Sequence, residues 1–198
     1  MNSRTPLERF LKTVITAKTN SAGTYTSNKF DDSNNTLDLM LTSIKVWEGD
    51  VIDCIEFVYD NKSYAKGKSP YFHGGLYGVM REFKIMPGDF LRRIDFKVGK
   101  YPFSMDVNQR NVDMIVQIKF TTRDGNESRW YGNCCGKGSR MVVSDYTIDV
   151  GPENVIFALY GATQKANMAL HNYVQALGTY YLTYISALEI VELKNNCK

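Results

Sequence analysis

Three copies of one short motif occur in the sequence, and this repeat is the feature that most constrains the fold. The copies occupy residues 49–57, 88–96 and 112–120. The first two begin with Gly-Asp, which suits a turn because glycine accepts a positive φ and aspartate bonds nearby backbone. All three end with Ile-x-Phe, whose two apolar side chains lie on one face of a β-strand. Each copy therefore predicts a turn that leads into a core strand.

The spacing between the copies is unequal, which excludes a solenoid of fixed period. After residue 35, short segments rich in Val, Ile, Phe and Tyr alternate with Gly, Asp and Asn turns, a pattern typical of an antiparallel all-β domain. Three unequal copies indicate threefold pseudosymmetry, in which each unit presents one face to a shared core. A chain of 198 residues is long enough for one such domain.

Residues 5–18 differ from the rest and predict a short amphipathic helix. Thr5 suits the N-cap, Pro6 the first helical position and Glu8 the third, which together form a capping signature. The apolar residues that follow have the spacing of one helix face: Leu7, Phe10, Leu11, Val14 and Ile15. Such a helix either docks on a partner or a membrane surface, or covers an apolar patch of its own domain. We expect an N-terminal helix and linker over residues 1–21 and one domain over residues 22–198.

The overall charge argues against nucleic acid as a main partner. There are 24 Lys and Arg residues against 21 Asp and Glu residues, giving a net charge of +3 with no long block of one sign. No apolar run approaches the roughly 18 residues of a membrane-spanning helix. The charged N-terminal region does not resemble a signal peptide. We therefore expect a cytoplasmic protein if the chain is complete, and a secreted one if a signal peptide has been removed.

Five segments follow each other in an order shared with one known family. They are residues 44–59, 73–78, 120–125, 156–161 and 174–178. In this order they resemble the jacalin-related lectins over roughly residues 22–193. The resemblance implies a β-prism, in which three four-stranded Greek-key sheets surround a pseudo-threefold axis.

The resemblance also implies a sugar site at one end of the prism. In the family, that site combines an early Gly-Gly loop with a late loop that ends in the Asp of a Leu-Asp-Ala-Ile-Gly segment. The residues of this sequence at those places are Gly23, Gly161, Tyr173, Val174 and Gln175. Gln175 replaces the Asp, so the charge-assisted hydrogen bonds of a carboxylate are missing and weaker binding is expected. Residues 162–173 lengthen the late loop and suit either a surface insertion or a helical contact surface.

Two functions from different classes fit these features. The first is a carbohydrate-binding, lectin-like module whose ligand is a mono- or oligosaccharide or a glycoprotein. The second is a β-prism that has lost sugar binding and acts as a protein interaction or structural subunit of a larger assembly. In that case the N-terminal helix or the 162–173 loop would contact the partner protein.

Residues for catalysis or for a cofactor are scarce. The chain has two histidines and lacks the G-x-S-x-G elbow of serine hydrolases, so His73 is interpreted as a loop histidine. Its four cysteines lack the CxxC spacing of zinc sites. The adjacent Cys134 and Cys135 are expected to point to opposite faces of a strand. We expect no enzyme, no metal and no cofactor.

Overall fold

The computed structural model describes residues 14, 16–23, 28–37, 39–60, 62, 64–65, 67–100, 113–133, 143–165 and 172–196. These residues form β-strands, a short 3-10 helix (Ser33–Asn35) and an α-helix. The strands are β1 (Thr16–Lys18), β2 (Ala22–Gly23), β3 (Asn28–Asp31), β4 (Leu41–Glu48), β5 (Ile52–Tyr59), β6 (Phe72–Gly74), β7 (Val79–Lys84), β8 (Leu91–Lys100), β9 (Asp113–Thr122), β10 (Val143–Asp149), β11 (Asn154–Lys165) and β12 (Asn172–Thr183). The helix α1 (Tyr184–Asn196) follows β12 directly.

The described strands form three sheets. The first sheet has the order β1-β12-β11-β3, and β2 also pairs with β12. The second sheet has the order β6-β5-β4-β7, and the third has the order β10-β8-β9. Isolated bridges from Tyr131 to Ile118 and from Glu127 to Thr121 bring another segment beside β9. A mostly β fold with three sheets is thus confirmed. Among the described residues, the first sheet has five strands, the second has four and the third has three, so only the second has the expected number.

The three sheets share one pairing rule. Each has a central hairpin, formed by β4 and β5, by β8 and β9, or by β11 and β12. In the second sheet, the next strand, β6, pairs with the second hairpin strand, β5, and β7 pairs with the first, β4. In the third sheet, the segment that contains Tyr131 lies beside β9, and β10 pairs with β8. In the first sheet these outer places belong to early strands, since β1 and β2 lie on β12 and β3 lies on β11.

The core lies where the inner faces of the three sheets meet. Phe57, Phe96 and Phe120 are fully buried there, as the Ile-x-Phe motif predicts. The motif does not mark one strand per sheet, however, because its second and third copies form β8 and β9 of the third sheet. An Ile-x-Phe pair marks any strand with one buried face, so it cannot distinguish one sheet from another. The third structural unit is the β11–β12 hairpin.

The expectation of an all-β domain after the N-terminal helix is wrong at the helix α1, which lies near the C-terminal end of the chain. Ala187 and Ile190 are buried in a second apolar cluster with β11 and β12, and Lys194 binds the Asp60 carboxylate at 2.9 Å. Of the helix expected over residues 5–18, residues 5–13 and 15 lie outside the described residues. Thr16–Lys18, its predicted last residues, instead form β1, because β12 offers them a pairing edge.

Candidate functional site

The site residues predicted from the sequence lie in a paired hairpin. Gly161 belongs to β11 and faces Leu177 of β12, while Gly23 pairs with Ala176. Tyr173, Val174 and Gln175 belong to β12. The prediction of a loop over residues 162–173 is therefore wrong for residues 162–165 and 172–173, which extend the hairpin strands. Residues 166–171 lie outside the described residues.

The side chains at this hairpin are engaged inside the prism. Gln175 is fully buried, and its amide nitrogen donates to the Asp113 carbonyl at 3.4 Å and to the Gln164 side-chain oxygen. Val174 is fully buried in the main core. Tyr173 packs in a small cluster with Val51, Met114 and Val116. The structure brings the predicted residues together, but it buries the side chains of Tyr173, Val174 and Gln175.

Strand register identifies the position that corresponds to Gln175 in each other sheet. In the first sheet, Gln175 directly precedes the residue that pairs with Gly23. In the second sheet Gly74 pairs with Cys54, so the corresponding residue is Asp53.

The third sheet has the same relationship. The bridge between Ile118 and Tyr131 places Gly132 beside Gln117, which makes Val116 the corresponding residue. In agreement, a Cβ on Gly132 would overlap the Val116 carbonyl oxygen, just as a Cβ on Gly74 would overlap the Asp53 carbonyl oxygen.

Asp53 is therefore the acid at the position where the family pattern places one, but in the second sheet. The 49–51 turn, in which the Gly49 amide donates to the Val51 carbonyl at 3.0 Å, leads into its strand. The Gly75 amide donates to the Asp53 carbonyl at 2.9 Å and brings the 74–78 loop alongside. We call the 49–51 turn, Asp53 and the 74–78 loop the candidate site.

Glycine backbone lines the Asp53 carboxylate. Gly78 has φ +74°, a left-handed conformation that glycine adopts without steric cost. A Cβ there would lie 2.9 Å from Asp53 Oδ2, and a Cβ on Gly49 would lie 3.6 Å from the same oxygen. Side chains at these two positions would crowd the carboxylate. Glycine at both positions therefore allows the backbone of the turn and of the loop to lie close to the carboxylate.

The Asp53 carboxylate is a hydrogen-bond acceptor that has no ion-pair partner among the described residues. Its exposed fraction is 8%, and burial, with a smaller effect from the Asp50 charge, raises its pKa to about 7. Within the described residues, no cation forms an ion pair with its carboxylate. A buried carboxylate whose lone pairs are not matched favours hydrogen-bond donors such as hydroxyl groups.

Glu48 holds the edge of the candidate site against the third sheet. Its carboxylate accepts hydrogen bonds from Arg81 Nε at 3.3 Å, from the Gly132 amide at 2.6 Å and from the Arg129 guanidinium. Its carbonyl oxygen lies against Gly78. Glu48 thereby connects the 74–78 loop to the neighbouring sheet.

His73 holds the opposite side of the candidate site. It lies in β6 directly before Gly74, so the interpretation as a loop histidine is wrong. Its Nε2 atom lies 3.0 and 2.9 Å from the two carboxylate oxygens of Asp32, and its ring stacks on Phe30 at 3.7 Å. Burial raises the pKa of Asp32. This pair joins the first sheet to the strand that ends at the candidate site.

The sequence contains a signal for Asp53 within the repeated motif. The first copy of the repeat has Asp53 four residues after its glycine, whereas the other copies have Arg92 and Val116 at that place. This acid resembles any other polar residue of a strand in the sequence, because only register shows that it corresponds to Gln175. In the described part of the chain, no three His, Cys, Asp or Glu side chains gather as a metal site would require. The same residues include no helix with the length and apolar character to cross a membrane.

Comparison with known proteins agrees with this architecture. The family model of the jacalin-like lectin domain matches residues 18–180. A mannose-binding jacalin-related lectin from Ananas comosus superposes with a TM-score of 0.60 at 20% identity, covering 85% of this chain and 99% of the lectin. Frutapin, a lectin from Artocarpus incisa, gives 0.60 at 14% identity, covering 85% and 97%. An artocarpin–mannotriose complex gives 0.58 at 15% identity, with the same coverage. No curated protein matches the sequence significantly.

Proposed function

Because this chain belongs to the jacalin-like lectin domain family, we propose that it is a carbohydrate-binding module whose ligand is a mono- or oligosaccharide, free or on a glycoprotein. Membership of this family places it among carbohydrate-binding proteins rather than enzymes. The observation that carries the proposal is the Asp53 carboxylate, which lies in the second sheet at the register position that corresponds to Gln175, and with which no cation of the described residues forms an ion pair.

The chemistry of a neutral sugar suits this arrangement. A sugar presents adjacent hydroxyl groups, and the two oxygens of one carboxylate accept hydrogen bonds from two of them. Such charge-assisted bonds are roughly twice as strong as neutral ones. Leu76, which is 39% exposed, offers an apolar contact in the 74–78 loop beside the acceptor. The candidate site thus combines a strong acceptor with a small apolar surface.

The proposal is tested by titrating the native chain with mannotriose, the sugar of the artocarpin complex, and by screening a glycan array. Saturable binding is expected, and Asp53→Asn should weaken it at least tenfold because the neutral amide lacks the carboxylate charge. Asp145→Asn is the matched control, because that side chain is 79% exposed on β10 and pairs with Lys97. A native chain that binds no glycan refutes the function. Equal binding by Asp53→Asn refutes the site.

Sugar contact at Gly23, Gly161, Tyr173, Val174 and Gln175 stays a separate prediction. If the hairpin holds the sugar, Gln175→Ala removes most of the binding and Asp53→Asn leaves it intact. The two variants therefore distinguish the first-sheet position from the second-sheet position within one titration series.

One observation favours the second function, a β-prism without sugar binding that acts as a protein interaction or structural subunit. The residue at the family's acid position is the amide Gln175, which is buried and bonded inside the protein. This function predicts a blank glycan array for the native chain, for Gln175→Asp and for Asp53→Asn. A partner captured from native extract, and lost when residues 165–172 are shortened, would then support it.

A further inference from the structure

We infer that each chain binds a single sugar, at the candidate site of the second sheet, and that the corresponding positions of the first and third sheets are closed. This inference rests on the proposed function and concerns its valency. The three positions are Asp53, Val116 and Gln175, and all of them lie in described strands. They share one register position but differ in chemistry and in what surrounds them.

The third-sheet position cannot accept a hydrogen bond through its side chain. Val116 is fully buried and packs with Met114 and Tyr173. The neighbouring Gly132 amide already donates to the Glu48 carboxylate at 2.6 Å. A sugar hydroxyl brought here would lose its hydrogen bonds to water without replacing them, which is unfavourable.

The polar side chain at the first-sheet position, Gln175, is already hydrogen-bonded within the protein. The Gln175 amide nitrogen reaches both the Asp113 carbonyl and the Gln164 side chain, and the residue has no exposed surface. A sugar would have to break these bonds before it could use the same amide. Removing one partner of a buried hydrogen bond leaves the other unsatisfied, so the exchange is unfavourable.

The second-sheet position differs from the other two in its chemistry and in what surrounds it. Asp53 retains an exposed fraction of 8%, and its Oδ2 atom lies near the backbone of Gly49 and Gly78. It carries the carboxylate that the other two positions lack. A monomer with one such site recognises a glycan without cross-linking two of them.

Stoichiometry tests the inference directly. Native mass spectrometry of the full chain with excess mannotriose is expected to show one sugar per chain, and none for Asp53→Asn. Asp145→Asn, the control on β10, is expected to retain one. Two or more specific sugars per chain, or one sugar retained by Asp53→Asn, overturn the single-site inference and leave the carbohydrate-binding function standing. No sugar on the native chain overturns both.

Cross-linking provides a second readout. The native chain, at a concentration where sedimentation shows a monomer, is expected to bind mannan-coated beads without aggregating them. The same chain carrying one biotin and tetramerised on streptavidin is expected to aggregate the beads, which shows that only valency is limiting. Bead aggregation by the monomer would overturn the inference.

Discussion

A Cβ atom on Gly78 would lie 2.9 Å from Asp53 Oδ2 and would overlap the carbonyl oxygen of Glu48. The 74–78 loop can therefore lie this close to the acceptor because residue 78 has no side chain. We expect Gly78→Ala to weaken mannotriose binding by tenfold or more, measured by calorimetry. The same variant should lower the free energy of unfolding by at least about 1 to 2 kcal/mol, because alanine is strained in the left-handed region.

Gly88→Ala is the matched control for this strain. Gly88 also has a positive φ, of +86°, but a Cβ there would meet nothing within 4 Å. We expect a similar conformational cost with unchanged sugar affinity. If both variants lose affinity equally, the loss at residue 78 reflects general destabilisation and not the shape of the candidate site.

The pKa of Asp53, raised to about 7 by burial, predicts that sugar binding depends on pH in the neutral range. The ionised carboxylate is the better acceptor, and its population falls roughly tenfold per pH unit below the pKa. Affinity for mannotriose should therefore decrease between pH 8 and pH 5, while the far-ultraviolet circular dichroism spectrum stays constant. An affinity that is flat over this range would show that the ionised form of Asp53 does not bind the sugar.

The same pKa predicts an effect on stability with a definite sign. The folded state holds the Asp53 proton more tightly than the unfolded chain, whose aspartate pKa is about 4. The free energy of unfolding of the native chain therefore loses this contribution as the pH rises from about 4 to above 7. The Asp53→Asn variant has no such loss. Denaturant titrations should show that the free energy of unfolding of Asp53→Asn rises relative to that of the native chain over this range, by on the order of 1 kcal/mol or more. An unchanged difference between the two would place the pKa of Asp53 near its ordinary value.

The sequence predicted the core better than the site, for a physical reason. An apolar pair such as Ile55 and Phe57 on alternate strand positions is buried whichever sheet it joins, so the repeat predicts core strands. The correspondence between Asp53 and Gln175 depends on which strand lies beside which, and β12 pairs with strands more than 150 residues earlier in the chain. Local patterns carry no information about such long-range register.

The sequence analysis does not predict the helix α1, because the family resemblance extends to residue 193 and implies closing strands there. The segment nevertheless contains strong helix formers, which are Ala187, Leu188, Glu189, Glu192, Leu193 and Lys194. The structure makes this segment helical where it packs on the second apolar cluster, through Ala187 and Ile190. Local preference and tertiary packing therefore both favour the helix here.

Two isoleucines on α1 allow the contribution of this packing to be measured. Ile190 is 4% exposed, whereas Ile185, on the same helix, is 66% exposed. We expect Ile190→Ala to lower the free energy of unfolding by about 2 to 4 kcal/mol. Ile185→Ala should change it by less than about 0.5 kcal/mol. Equal effects in chemical denaturation would mean that the helix is not packed through the Ile190 face.

The register equivalence of Asp53 and Gln175 predicts that a second sugar site can be created in the first sheet. Gln175→Asp replaces the amide by a shorter carboxylate, which cannot donate to the Asp113 carbonyl and so breaks that internal bond. The released acceptor then has the chemistry of Asp53 at the same register position. We expect native mass spectrometry to show two mannotriose molecules per chain for Gln175→Asp, and one for the native chain and for Gln175→Ala. A folded Gln175→Asp variant that still binds a single sugar would show that strand register alone does not make the two positions equivalent. The acceptor would then depend equally on the glycine-lined turn that Asp53 has beside it.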